Sequence, residues 1–93
     1  MRLVFGEEAL DDLQGIFAWI AKDDVGTATN LLNRIFDRVE RLAVPDLTRM
    51  GRLGRDPGTH ELIEEPYIIV YEVRERQGEV RVISVVHGAR ERQ

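Results

Sequence analysis

The 93-residue chain is predicted to fold as an α+β domain: an N-terminal strand, an antiparallel two-helix hairpin, and a three-strand C-terminal meander, with the helices packed on one face of an antiparallel β-sheet. Three observations carry this expectation. Apolar residues recur twice at helical spacing before residue 45. A stretch rich in glycine and proline follows, and short Val-, Ile- and Tyr-rich runs divided by turns fill the last third.

Taken in order, Arg2 to Phe5 reads as a short opening strand. Leu10, Leu13, Ile16, Phe17 and Ile20 then mark a first amphipathic helix through about residue 22. Asp23-Asp24 ends it and offers an N-cap to a second, in which Leu31, Leu32, Ile35, Phe36, Val39, Leu42 and Ala43 repeat the stripe until Pro45. So short a connection makes the helices antiparallel neighbours whose joint apolar face needs a cover. Residues 45–58 hold Pro45, Gly51, Gly54, Pro57 and Gly58 without an apolar period, and read as a loop. Thr59 to Glu64, Tyr67 to Val73 and Glu79 to Val86 read as three strands of a meander, separated by Glu65-Pro66 and a turn containing Gln77-Gly78.

If Glu64 faces Tyr67 and Val73 faces Val80, the period of two sorts the side chains. Leu62, Ile69, Tyr71, Val73, Val80, Val82, Ser84 and Val86 share the face toward the helices, with His60 and Tyr67 at its margins. Ile63, Ile68, Val70, Ile83 and Val85 share the opposite face with Glu61, Glu72 and Arg81, and Glu72 stands across from Arg81. Five aliphatics away from the helices need a second cover, supplied either by a partner protein or by the chain's own tail.

The bulk chemistry narrows the function. A net charge of −4, spread as −3 over residues 1–45 and −1 over 46–93, opposes a general grip on nucleic-acid phosphates. Twelve of the thirteen cationic residues are arginine, a bias that fits planar, bidentate recognition of carboxylates or phosphates and that a GC-rich genome also produces. The absence of cysteine removes disulfides and thiolate metal sites and suits a reducing compartment. Uncharged runs reach only nine residues, so neither a membrane span nor a signal peptide is expected, and the protein is expected in the cytoplasm.

Four segments then carry a pattern. Ala9-Leu10-Asp11-Asp12-Leu13 opens the first helix, and Met50-Gly51-Arg52-Leu53-Gly54-Arg55-Asp56-Pro57-Gly58-Thr59-His60-Glu61-Leu62 leads into the sheet. Tyr67-Ile68-Ile69-Val70-Tyr71-Glu72-Val73 and Val86-His87-Gly88-Ala89-Arg90 follow. In this order and spacing the chain resembles the RelE/ParE toxin superfamily along nearly its whole length, as one ParE-like toxin domain over residues 1–93. The stretch from Gly51 to Thr59 is similar to the ParE branch.

The resemblance implies the toxin of a type II toxin-antitoxin pair, silenced by a ParD-like antitoxin whose C-terminal segment wraps onto it, with growth arrest and plasmid stabilisation as its effects. ParE-like toxins poison DNA gyrase, whereas RelE-like relatives cut messenger RNA in the ribosome. Cleavage by a 2'-hydroxyl needs a base, an acid and cations facing the phosphate. Here Glu61 and Ile68 stand where the ribonucleases place cations, so no catalytic residue is assigned and gyrase is the expected target. His60 and Ser84 occupy positions where ParE-like chains often carry arginine. An inactive, antitoxin-binding relative is therefore a third reading.

Candidate contact residues follow from charge and position. Arg49, Arg52 and Arg55 recur every third residue with no acid between them and suit an acidic partner surface, or else bond loop carbonyls. His87 and Arg90 leave the last strand beside Gly88 and either meet a partner or pack as tail. Ile63, Ile68, Val70, Ile83 and Val85 form the second apolar face. His60 and His87, levelled five residues apart along the middle strand, are separated by roughly 17 Å and share no site, and neither a metal nor a cofactor is expected. Trp19 breaks the polar side of the first helix, where it either widens the buried face or marks an interface.

Overall fold

The computed structural model describes residues 1–88. It contains β1 (Arg2–Phe5), α1 (Glu7–Ala21), α2 (Val25–Glu40), β2 (Arg52–Leu53), β3 (His60–Glu64), β4 (Tyr67–Arg74) and β5 (Glu79–His87), with single 3-10 turns at Arg41–Ala43, Pro45–Leu47 and Glu75–Gln77. Acidic Glu7 and Glu8 sit in the first turn of α1, where they complement the helix dipole. The Asp24 side chain accepts a 3.2 Å hydrogen bond from the Thr27 amide and caps α2, as Asp23-Asp24 predicts.

The five strands lie in the order β1-β5-β4-β3-β2. β1 runs parallel to β5 and every other pair is antiparallel, so the sheet is mixed. Parallel neighbours require a long crossover, which the helices and the following segments supply. The hairpin closes one sheet face: Ala9, Leu13, Leu31, Ile35, Val39 and Leu42 pack with Leu62, Ile69, Tyr71, Val80 and Val82 into one core.

Two expectations are corrected. The segment 45–58 is not wholly loop, because Arg52–Leu53 pairs with His60–Glu61 as a two-residue edge strand. A strand that short, flanked by Gly51 and Gly54, carries no period to detect.

The second correction concerns β5. Glu64↔Tyr67, Val73↔Val80 and Glu72↔Arg81 pair as expected, but Tyr71 pairs with Val82 while Val70 pairs with Ser84. Ile83 is thus the extra residue of a β-bulge, and the face assignment reverses beyond it. Val85 turns inward and is 3% exposed, in the core. Ser84 and Val86 move to the opposite face, across from Val70 and Ile68.

Candidate protein interface

Arg49, Arg52 and Arg55 gather at the β2 edge of the sheet, each with an exposed side chain. Arg49 pairs with Glu75 at 2.7 Å, both groups largely in solvent, so the pair is worth little. Arg52 sends Nε and a terminal nitrogen to Glu61 Oε1 at 2.9 Å, and the Arg55 amide donates to Glu61 Oε2 at 3.4 Å. Glu61 is 5% exposed, so this fork holds a carboxylate that would otherwise be costly to bury.

Close approach seats the segment on the sheet. A Cβ on Gly51 would lie 2.5 Å from the Glu61 carbonyl oxygen and 2.9 Å from the Tyr71 hydroxyl, and one on Gly54 would lie 2.1 Å from Thr59 Oγ1. The Gly51 amide donates to the Tyr71 hydroxyl at 3.1 Å. Burial pushes the Tyr71 phenol above its ordinary pKa, against the smaller lowering by that bond and by Arg49. The His60 ring stacks on Tyr71, centroids 5.4 Å apart.

Of the expected second face, Ile63, Ile68, Val70 and Ile83 do lie together on the sheet side away from the helices, and Ile68 is buried there. Val85 does not join them. The charged end of the same face centres on Glu79, which accepts hydrogen bonds from Arg2 at 3.1 Å and Arg81 at 3.0 Å, with Arg74 close by. Arg2's hydrogen bond, reinforced by Arg81, holds the Glu79 carboxyl below its ordinary value despite burial. The Glu72–Arg81 pairing exists in register, but Glu72 bonds Arg74.

His87 pairs in register with Tyr67, and their rings meet edge to face at 5.5 Å. It belongs to β5, three strands from β2, so roughly 14 Å of sheet separates it from the arginine edge. His60 is level with Tyr71, four residues from that point along β4. Arg90 lies outside the described residues.

Two concave surfaces were not read from the sequence. Leu10, Leu13, Gln14, Phe17, Leu32 and Phe36 line an apolar groove of about 310 Å³ along the helix hairpin. Leu10, one of the apolar residues at helical spacing in α1, is 47% exposed. A second groove of about 520 Å³ separates α1 from the end of β5. At its wall Asp12 accepts a 2.9 Å bond from the Val85 amide, at the edge of β5 beyond the end of β1. Trp19, on the rim, is 70% exposed beneath the Lys22 ammonium. It belongs to the surface.

A family model described as "ParE toxin of type II toxin-antitoxin system, parDE" matches residues 3–92. The chain belongs to the ParE toxin family. The Sinorhizobium fredii protein Y4kP, which carries the name of a toxin, is 37% identical over 82 residues, covering 86% of this chain and 80% of its own. A chain from the chromosomal ParDE system of P. aeruginosa superposes with a TM-score of 0.80 at 21% identity, over 94% of this chain and 95% of that one. The isolated E. coli RelE toxin gives 0.57 at 25% identity, over 92% and 82%. This ParE-family toxin therefore has the α+β fold its sequence predicts. Among the described residues no helix is long and apolar enough to cross a membrane.

Proposed function

We propose that this ParE-family toxin acts by binding DNA gyrase in the cytoplasm, without cutting nucleic acid, and that a small ParD-like antitoxin silences it. The observation that carries the reading is Glu61. It is 5% exposed and locked by Arg52 at the strand position where RNA cleavage calls for a cation facing phosphate. A buried carboxylate already paired with arginine offers a scissile phosphate neither a free cation nor a free base there. Arg81 is likewise occupied by Glu79. The higher structural likeness to the ParDE chain than to RelE supports the same direction.

The helix-hairpin groove suits the apolar face of an antitoxin helix, since a concave, uncharged strip between two helices offers spaced pockets for such anchors. Ile63, Val70 and Ile83 on the outer sheet face offer a second strip to the same partner. Purified toxin added to gyrase and relaxed plasmid should block supercoiling at micromolar concentration and leave messenger RNA on programmed ribosomes intact. Cleaved message with unimpaired supercoiling would refute the reading.

A further inference from the structure

The segment leading into β2 and through it is built of three triplets: Leu47-Thr48-Arg49, Met50-Gly51-Arg52 and Leu53-Gly54-Arg55. Each is a large aliphatic residue, a small residue and an arginine. The structure gives the three positions different environments. The small residues face the body of the protein: Thr48 is buried and bonds the Pro45 carbonyl, and Gly51 and Gly54 approach neighbouring atoms so closely that a Cβ would collide. The aliphatic residues face solvent, with Leu47 38%, Met50 46% and Leu53 82% exposed. All three arginines are exposed as well.

Exposure of three large aliphatics in nine residues is unfavourable in a free monomer and is not a by-product of packing, because the inward positions are already filled by small residues. Methionine and arginine are enriched where protein surfaces meet. A guanidinium carries five N–H donors, and the bonds Arg49 and Arg52 make to Glu75 and Glu61 use only one or two on each. Unused donors therefore remain on both guanidinium groups, and the exposed Arg49–Glu75 pair exchanges readily for another carboxylate.

We propose that the exposed sheet edge formed by this ribbon, carrying Leu47, Met50 and Leu53 together with Arg49, Arg52 and Arg55, is the surface through which the toxin grips its target, and that the target presents an acidic protein surface with apolar pockets. The proposal rests on the reading that the target is a protein. Charge selects the occupant. A second copy docking through the same ribbon would bring two arginine clusters of like charge into one interface. Single-stranded nucleic acid is held by stacking on aromatic rings, and residues 47–55 contain none.

The test uses the full chain with Met50→Ser and Leu53→Ser together, and with Leu53→Ser alone, where almost no packing is lost. Induction in a bacterial host is followed by growth, thermal melting, and inhibition of purified gyrase. The expected result is loss of growth arrest and at least a tenfold higher concentration for half-inhibition of gyrase in the double variant, with the melting temperature held. Loss of arrest by the variant, when the wild-type chain arrests growth yet leaves gyrase untouched, would remove gyrase as target and keep the ribbon. Arrest by both variants at wild-type potency would overturn the ribbon. So would a wild-type dimer that the double variant converts to monomer, or wild-type binding to an RNA oligonucleotide that the variant loses. A wild-type chain that spares both growth and gyrase overturns the ribbon and the gyrase reading together.

Discussion

The helix-hairpin groove and the β2 ribbon are both apolar surfaces left uncovered, but they are made differently. The groove is concave, lined by Leu10, Phe17, Leu32 and Phe36, and carries no charged side chain. The ribbon places Met50 and Leu53 at the rim of the sheet, each followed two residues later by an arginine. A partner selected by the groove needs shape and an apolar stripe. A partner selected by the ribbon must also bring carboxylates. One small fold thus presents two chemistries, which suits a toxin that must meet both a silencing protein and a target.

The sharpest way to break the comparison is at the seat of the ribbon. Gly51→Ala puts a methyl into the Glu61 carbonyl and the Tyr71 hydroxyl, and should lower stability by about 3 kcal/mol in urea unfolding. Next, Leu10→Glu puts a charge into the groove at a half-exposed position. Antitoxin affinity should fall at least a hundredfold by calorimetry, while melting and gyrase inhibition stay at wild-type values. A smaller effect is expected from Asp12→Ala, which strips the Val85 amide of its acceptor and should cost about 1–2 kcal/mol by chemical denaturation.

The smallest change is a control on both surfaces. Because Glu79 has a folded-state pKa below its unfolded value, its contribution to stability is present above the ordinary carboxyl range and is lost as pH falls through the lowered value. Glu79→Gln should flatten the acid side of the stability profile, followed by melting from neutral pH downward, and leave both partners' affinities unchanged.

Much of this architecture is legible in the residues. The helical stripes, the Asp24 cap and the β3–β4 register follow from periodicity and turn chemistry, which act over a few neighbouring positions. The bulge at Ile83 does not. It depends on how β4 and β5 twist against each other, and one inserted residue moved Val85 into the core and Val86 out of it. The arginine triad was visible as spacing, but Glu61 and Glu75 come to it from distant positions, through the β2–β3 pairing and the turn after β4. Exposure of Leu10, Trp19 and Leu53 depends on which side of each element the rest of the chain covers, which no local pattern encodes.

The most direct measurement is a gyrase supercoiling titration run side by side with the wild-type chain, the Leu10→Glu groove variant, and the Met50→Ser/Leu53→Ser ribbon variant. Wild-type and groove variant should inhibit at the same concentration, with the ribbon variant at least tenfold weaker. Equal inhibition by the ribbon variant, or its selective loss in the groove variant, would contradict the division of the molecule into two surfaces.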